Sequence, residues 1–528
     1  MHYQRLLACS TLLAGLALGS SAAAQDLAIS RIGGSGTDFH YYGQSGGIAA
    51  YSFGTTSCNV GDQIVLWETG GSNPQHPVIA QNFFRMKDNR FEHLGYSFLK
   101  HSFCAVNETS CGSCQGTNCD TLGIGCADTY GSGLNDGASG GTKSEIQPTT
   151  GYHTHPYTGP SGSGTIRGRL QVQASEMANS GATYIAESQY VSEHDQGAGN
   201  GRNNVSWREL VVSSVSNITS AGSTQMFDPA IYAWQALDSN VTVTEVRNEN
   251  EGGNGVHGHY FLGTKNYSLG GGLWRYEYAL QNMDSAQAAG SFSLPISCDG
   301  LQITDLFFRD VNSHSGDPYD STDWSVSQSG GSLTWSTTPY SQNQNANALR
   351  WGTLYNFGFT ANASPANSAA TIGLFAPGVG SDLQVSVKGP CGAPVCGTYD
   401  YCAVNANSTG NGAVLGSTGS VSIAANDLQF FAYFLPANQF GIVYYGTGQT
   451  EVPFGNGNRC VGGSLYRLPI VQSSMWGDMI YSLDNSNPPA PSGQLTAGST
   501  WNFQYWFRDP NTGANFNLSN GHSITFCP

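Results

Sequence analysis

Short runs of alternating apolar and polar residues recur along the whole sequence, and they restrict the fold more than any other feature. Examples are RLQVQAS, VTVTEV, WRYEYAL, LQVSVK and WNFQYWF, with Gly, Asn, Asp or Pro between runs. Side chains of a strand point alternately to opposite faces, so this pattern places one face in a core and one in water. Helical periodicity is scarce, and its best candidate is Val78 to Lys100. We therefore predict an all-β fold of consecutive β-sandwich-like domains, of jelly-roll or immunoglobulin-like type.

Two shifts in composition divide the chain. The first is MFDPAIYAW (226–234), a connector that contains proline, and the second is GPCGAPVCGTYDYC (389–402), rich in Gly, Pro and Cys. A length of 528 residues is expected to give roughly three domains. We predict an N-terminal domain over 25–227, a middle sandwich over 228–394 and a C-terminal sandwich over 395–528, each of ordinary domain size.

The first 24 residues have the three parts of a secretory signal peptide. Arg5 supplies the positive charge, residues 6–18 form an apolar run, and Ala22 to Ala24 match an A-x-A cleavage signal. We predict cleavage near Ala24 and a secreted or extracellular protein. No other stretch has about 18 consecutive apolar residues, so no membrane span is expected.

Cysteine usage agrees with export. Of 13 cysteines, Cys9 falls in the signal peptide, which leaves 13 − 1 = 12. In an oxidising compartment an even number indicates disulfides before metal thiolates. Each predicted domain holds an even number, and Cys298–Cys391, alone in the middle domain, is the one pairing that we name. The expected disulfide cysteines are Cys58, Cys104, Cys111, Cys114, Cys119, Cys126, Cys298, Cys391, Cys396, Cys402, Cys460 and Cys527.

The last quarter of the chain contains QYWFRDP (504–510), then LSN (518–520) and a final CP (527–528). These residues match a Q-Y-W-[FY]-R-D-P…L-S-[ND]…C-P pattern. The chain resembles uncharacterised secreted bacterial multi-domain β-proteins that carry this C-terminal module. The resemblance implies export and a small β-sandwich, and it carries over no catalytic residue. The matched positions are Gln504, Tyr505, Trp506, Phe507, Arg508, Asp509, Pro510, Leu518, Ser519, Asn520, Cys527 and Pro528.

The charge balance excludes some partners. The chain has 20 Lys and Arg against 36 Asp and Glu, a net charge of −16 at pH 7. Binding to nucleic acid or to an anionic membrane needs clustered basic residues, and the sequence has no such cluster. We expect neither partner. Extracellular polysaccharide or cell-surface components are the partners that suit an exported chain rich in aromatic and neutral polar residues.

Histidines in the N-terminal domain suggest a metal site. The candidates are His76, His93, His101, His153 and His155, and the last two form an H-x-H pair. His93 and His101 share a face at even spacing in a strand. Three imidazoles with an open coordination position suit zinc or copper and could activate water or dioxygen. The alternative is that these histidines lie on polar loops, and that Cys111-x-x-Cys114 belongs to a disulfide-tied loop rather than to a zinc or redox site.

A second metal candidate is the acidic loop DVNSHSGDPYDSTDW (310–324). Its oxygen-bearing side chains include Asp310, Asn312, Asp317 and Asp320, and such ligands suit calcium. The spacing narrowly misses the EF-hand pattern, and a loop rich in Asx turns is the alternative. Among cofactors we place calcium ahead of copper and zinc.

Paired carboxylates and aromatic stripes offer two routes to carbohydrate. Glu187, Glu193, Asp195 and Glu277 are acids of the kind that glycosidases use in pairs, although one sequence gives no distance between them. The stripe Trp501, Phe503, Tyr505 and Phe507 would stack on sugars if it were exposed. We expect it to be core, because the apolar face of a strand must be buried somewhere.

Two functional interpretations remain. The leading one is a secreted extracellular or cell-surface protein with a non-catalytic binding or structural role, directed at glycans. The alternative is a secreted metal-dependent enzyme, oxidative or hydrolytic, with a histidine site in the N-terminal domain. The enzyme requires at least three imidazoles to converge on one point, whereas the binding protein requires an exposed aromatic patch without convergent ligands.

Overall fold

The computed structural model describes residues 24–34, 38–67, 75–154, 156–392, 396–510 and 512–527. The predicted signal peptide lies outside these residues except for Ala24. Over the described ranges, no helix has the length and apolarity needed to cross a membrane. The helices are α1 (Glu193–Gly197) and α2 (Ile231–Leu237), with single 3₁₀ turns at Lys143–Glu145, Ala174–Glu176, Gly201–Asn203 and Pro491–Gly493.

Seventeen strands form the first part of the described chain. They are β1 (Leu27–Ile32), β2 (Phe39–Ser45), β3 (Ile48–Phe53), β4 (Thr55–Asn59), β5 (Val65–Leu66), β6 (Val78–Lys87), β7 (Arg90–Tyr96), β8 (Lys100–His101), β9 (Thr121–Leu122), β10 (Ala127–Tyr130), β11 (Ile146–Gln147), β12 (Tyr152–His153), β13 (Leu170–Gln173), β14 (Thr183–Val191), β15 (Val205–Ser214), β16 (Asn217–Ser220) and β17 (Gln225–Met226).

The largest sheet of this part has the order β16-β15-β14-β6-β7, with β17 beside β15 and β8 beside β6. Two three-stranded sheets, β1-β4-β10 and β13-β3-β2, accompany it, and all the pairings are antiparallel. One apolar cluster joins the sheets, with Tyr51 and Phe53 of β3 against Phe83 of β6.

The stretch Val78 to Lys100, the best helical candidate in a chain of β patterns, is not helical, since β6 and β7 form a hairpin there. Asp88 and Asn89 make its turn with φ of 51° and 67°. Turns with two positive φ values match the twist of the flanking strands, and Asp and Asn tolerate this conformation. Apolar residues lie on both faces of the hairpin, because both faces are buried, and this hides the period of two.

The middle part is a sandwich of two five-stranded antiparallel sheets, β18-β19-β20-β25-β22 and β23-β24-β21-β26-β27. Aromatic residues of both sheets fill the space between them, as where Phe292 meets Tyr278 and Phe357. The strands are β18 (Thr242–Gly253), β19 (Val256–Gly270), β20 (Leu273–Asn282), β21 (Ala289–Pro295), β22 (Ile303–Arg309), β23 (Ser325–Ser329), β24 (Ser332–Ser336), β25 (Thr353–Ala361), β26 (Ala366–Leu374) and β27 (Asp382–Gly389).

The last part has a six-stranded sheet, β28-β36-β34-β31-β32 with β35 beside β34, and a three-stranded sheet, β29-β30-β33. Its apolar core takes all its members from residues 413–526. The strands are β28 (Gly397–Tyr401), β29 (Val414–Thr418), β30 (Gln429–Tyr433), β31 (Phe440–Phe454), β32 (Gly457–Gln472), β33 (Met479–Ser482), β34 (Thr500–Arg508), β35 (Phe516–Leu518) and β36 (Gly521–Thr525).

The first and middle parts share buried contacts. One apolar cluster contains Phe84 of β6, Trp234 of α2 and Phe261 of β19. Arg90 of β7 donates two hydrogen bonds of 2.9 Å to the carboxylate of Glu277 of β20. These two parts therefore pack as neighbours, and the predicted boundary at residue 227 divides the sequence rather than the packing.

Six disulfides use all twelve of the expected cysteines. The middle pair is Cys298–Cys391, as predicted. Every bridge stays within one predicted segment, with sequence separations from 12 to 131 residues. The other pairs are Cys58–Cys111, Cys104–Cys119, Cys114–Cys126, Cys396–Cys527 and Cys402–Cys460.

Candidate metal centre

Pairing of short strands near the start of β6 brings three histidines together. His76 lies two residues before β6, and His101, in β8, pairs with Val78 at the start of β6. His153, in β12, pairs with Ile146 of β11. Val78 and Ile146 belong to one buried apolar cluster. This buried cluster holds the two strand pairs, and therefore the three imidazoles, beside each other.

The three imidazoles converge as metal ligands do, and two of them lie closer together than they would around a bound ion. One ring nitrogen from each of His76, His101 and His153 lies within 4.8 Å of the others. His76 Nε2 and His101 Nδ1 are 2.8 Å apart. Zinc–nitrogen bonds of about 2.1 Å at the tetrahedral angle separate ligand nitrogens by roughly 3.4 Å. A metal ion would therefore open the His76–His101 contact by about half an ångström.

The backbone orients the third ring. His153 Nε2 lies 3.0 Å from the carbonyl oxygen of His76, while its Nδ1 lies 3.3 Å from that of Thr154. We assign the ring N–H to Nε2, which makes the shorter bond, so Nδ1 keeps a lone pair. Metal-binding imidazoles commonly donate their other N–H to a carbonyl or carboxylate in this way. The His76 carbonyl therefore fixes the orientation of His153.

A glycine leaves room for the third member, His101. Its ring stacks on Tyr157 with centroids 3.8 Å apart. A Cβ on Gly141 would lie 2.9 Å from His101 Nε2 and 2.6 Å from Glu145 Oε2. Such contacts are closer than real Cβ atoms make, so a side chain at this position would displace the His101 ring or the Glu145 carboxylate. Glu145 Oε2 is buried and, among the described residues, accepts no hydrogen bond, which leaves a carboxylate oxygen beside the triad.

A cavity of about 400 Å³ opens beside His76 and His101. Its size falls in the usual range for small-ligand pockets. The wall is mixed, with Phe103 and Leu134 as apolar members and Asp136, Ser139 and Tyr157 as polar ones. A ligand in this cavity would reach the face of the triad that His76 and His101 present.

Lys100, next to His101 in sequence, also lines this cavity and is buried. Its Nζ lies 3.1 Å from the ring centroid of Tyr130. Burial lowers the pKa of Lys100 well below its ordinary value, and the nearby Asp128 partly offsets this. Burial likewise raises the pKa of Asp128. The cavity therefore has an amine that is poised to give up its proton more readily than a surface lysine.

The other two candidate histidines do not join the triad. His93 is buried, stacks on Phe84, and accepts a hydrogen bond of 3.3 Å from the Leu354 amide. Burial lowers its pKa well below the ordinary value. It therefore ties β7 to β25 as a neutral core residue. His155 lies outside the described residues.

The structure does not gather the proposed calcium ligands into a cluster. Asp310 accepts from Asn347, and Asp320 accepts from Asn343 at 2.8 Å. Asp317 accepts from the Tyr96 hydroxyl at 3.3 Å, and Asn312 is exposed. Within the described residues, the His triad is the group of three or more His, Cys, Asp or Glu side chains close enough to hold a metal. Calcium at this loop stays a prediction without support from its geometry.

The CxxC stretch is a disulfide-tied loop, as expected. Cys111 pairs with Cys58, and Cys114 pairs with Cys126. The two cysteines of the motif therefore form separate bridges. Neither sulfur can ligate zinc or pair with the other in a redox cycle while these bridges are intact.

The carboxylates considered for glycoside hydrolysis have internal partners. Glu187 is fully buried and accepts hydrogen bonds from Asn82, Gln281 and the Ala230 amide, although burial still raises its pKa. Glu277 is held by two arginines. Both acids serve the packing of the first part against the middle part.

The sequence patterns did not indicate several residues that lie around the triad. Gly141 approaches the triad through its bridge with Leu99, and Glu145 and Tyr157 lie beside it although they are far from His101 in sequence. Lys100 carried a usable signal, since a lysine beside a histidine within an apolar stretch must be either exposed or specifically accommodated.

No family model matches the chain, and no curated protein matches it. Solved structures that it resembles include the full-length major pilin SpaD from Corynebacterium diphtheriae, at 8% identity over 88% of this chain and 90% of that chain with a TM-score of 0.17. The Actinomyces fimbrial adhesin FimA matches at 11% identity over 54% of this chain and 96% of that chain, with a TM-score of 0.14. At these TM-scores the likeness carries no inference about function.

Proposed function

We propose that this chain is an extracellular protein that binds one transition-metal ion, zinc or copper, through His76, His101 and His153. The observation that carries the proposal is the convergence of one nitrogen from each ring within 4.8 Å. The signal-like N-terminus and the six disulfides support export to an oxidising compartment. A binding or structural role at the cell surface, with glycans as partners, remains our interpretation of the whole chain.

The donor set selects the metal. Imidazole nitrogen suits zinc and copper, whereas calcium and magnesium take oxygen ligands. Two of the three rings, His76 and His153, are almost fully buried, so the site is screened from water on most sides. A metal bound at this largely buried site would stabilise the loops around β6, since metal binding to the folded state alone adds to its stability.

A second candidate function is a secreted metal-dependent enzyme. The cavity beside His76 and His101 favours it, because catalytic zinc sites use three protein ligands and leave the fourth position open. A metal there would lower the pKa of a bound water. Glu145 and Lys100 are the neighbouring groups that could exchange its proton.

The test is metal content and affinity of residues 25–528 produced with intact disulfides and without a histidine tag. We expect about one equivalent of zinc or copper in the wild type, and none in His101→Ala or His153→Ala. The matched control is His40→Ala, which removes an exposed histidine outside the cluster. Circular dichroism would confirm that each variant is folded.

Two results would contradict the proposal. One is wild-type protein that takes up no zinc or copper after dialysis against micromolar metal. The other is a folded His101→Ala variant with unchanged affinity. Hydrolytic or oxidative turnover that depends on the metal and is lost in Lys100→Met would favour the enzyme over a purely binding role.

A further inference from the structure

The sheet of the C-terminal part has an outer face that differs from its inner face. Side chains of β31 and β34 alternate, so Val443, Tyr445 and Phe503 enter the core. Tyr444 and Trp506 point the other way. Together with residues of β32 and β35, they line a cavity of about 490 Å³ on the outer face. Alternate side chains of the same strands thus form the core on one face of the sheet and the pocket on the other.

Aromatic rings form one wall of this pocket. Phe516 lies with its ring centroid 5.2 Å from that of Phe454 and 5.5 Å from that of Trp506. Gly455, with φ of 63°, turns the β31–β32 hairpin, and a Cβ there would lie 2.2 Å from the Phe516 ring. The glycine therefore lets the hairpin tip close onto the ring. Trp506 and Phe516 both remain partly exposed.

Arginines supply the charge at this pocket. Residues 395–528 contain three arginines and no lysine. Arg459 and Arg467 line the pocket. Arg508 lies two residues from Trp506 in β34, on the same face, and pairs with Phe516. All three are exposed, and none takes part in a salt bridge among the described residues.

This concentration of positive charge is unusual for the molecule. The chain has a net charge of −16, yet all three arginines of its last quarter lie on the outer face of this sheet, and two of them line the aromatic pocket. Unpaired guanidinium groups with their planar forks match carboxylates in two parallel hydrogen bonds. Charge complementarity therefore indicates an anionic ligand with carboxylates.

We propose that this pocket binds an acidic polysaccharide, a chain of uronate sugars. The aromatic rings would stack against the apolar faces of the pyranose rings, and the arginines would pair with the uronate carboxylates. An acidic peptide is disfavoured by the location. A peptide that adds as a strand uses the backbone of a sheet edge, whereas this pocket is built from side chains on a sheet face.

The experiment is calorimetric titration of residues 25–528 with polygalacturonate. Highly methyl-esterified polygalacturonate is the matched neutral ligand, and polyglutamate is the matched acidic peptide. The test variants are Arg459→Gln with Arg467→Gln, and Trp506→Ala. The control variant is Arg31→Gln, an exposed arginine in β1. Because these arginines are exposed, their variants are expected to fold.

We expect polygalacturonate to bind the wild type and the control equally. The double arginine variant should bind at least tenfold more weakly, and its affinity should depend less on salt concentration. The esterified polymer should bind at least tenfold more weakly to the wild type. Trp506→Ala should lose affinity for polygalacturonate even at high salt, because stacking is less sensitive to screening.

Three results would overturn the proposal. They are no binding of polygalacturonate, unchanged binding by the double arginine variant, and equal or tighter binding of polyglutamate. The pocket does not rest on the metal centre. Repeating the titration with His101→Ala and with a chelator should leave the affinity unchanged, so failure at one site remains distinguishable from failure at the other.

Discussion

The proposed metal centre of the N-terminal part and the proposed ligand pocket of the C-terminal part place their side chains in opposite environments. The first gathers three imidazoles, two of them buried, across short strands that are far apart in sequence. The second presents exposed arginines and aromatic rings on the outer face of a regular sheet. Buried polar groups need partners supplied by the fold, whereas exposed groups need only the alternation of a strand. The first site should therefore be coupled to stability, and the second should not.

The largest expected effect is a loss of stability when the packing of the first part against the middle part is broken. Glu277→Ala would remove the carboxylate that binds Arg90 and Arg275, leaving two largely buried guanidinium groups without a carboxylate partner. Loss of one partner from a buried ion network costs about 3–5 kcal/mol. We expect the free energy of unfolding of the first and middle parts to fall by that amount in urea titrations. Polygalacturonate affinity should be unchanged, and a change in it would show that the two regions are coupled.

A smaller expected effect is the dependence of the free energy of unfolding on pH. Burial raises the pKa of Asp195 to about 8. Between its ordinary value of 3.8 and about 8, the folded state holds a proton that the unfolded state releases, so stability falls as pH rises. From pH 6 to pH 7.5 we expect the free energy of unfolding to drop by roughly 2 kcal/mol.

Asp195→Asn should remove this dependence, because the amide cannot ionise. Unfolding curves of both proteins at matched pH values give the measurement. A wild type whose stability rises over the same window, or a variant with the same slope, would contradict the assignment. The C-terminal pocket should bind equally at both pH values.

The smallest effect concerns the fit at the triad. Gly141→Ala would place a methyl group against His101 and Glu145. We expect about a tenfold loss of zinc affinity with little loss of stability, because the neighbouring side chains can shift. Gly133→Ala is the control, since Gly133 lines the same cavity and its Cβ would meet open space. Equal affinities of the two variants would show that Gly141 has no part in positioning His101.

Much of the fold could be predicted because alternation and cysteine parity are local signals. The aromatic stripe from Trp501 to Phe507 is buried, as expected for one face of a strand. The twelve cysteines form six bridges within the predicted segments. The hairpin of β6 and β7 was missed, because a strand buried on both faces loses its alternation.

The candidate site could be predicted only in part. The spacing of His93 and His101 suggested one shared face, but β7 shifts its register against β6 between Phe83 and Phe84, and β8 pairs with the far end of β6. His93 lies nearest Phe84 and His101 nearest Val78, six residues apart along β6, which is roughly 20 Å in a strand. Sequence spacing predicts a shared face only within one uninterrupted strand. The approach of His153 depends on the pairing of β11 and β12, which no local pattern encodes.

The most direct test of the metal centre is X-ray absorption at the zinc edge on the zinc-loaded protein with its disulfides intact. We predict three imidazole nitrogens at about 2.0–2.1 Å, with one further light atom. His101→Ala should retain no zinc after the same loading, so it should give no three-imidazole zinc shell. A zinc environment made of sulfur, or of oxygen without imidazole, would contradict the convergence of His76, His101 and His153 on one metal ion.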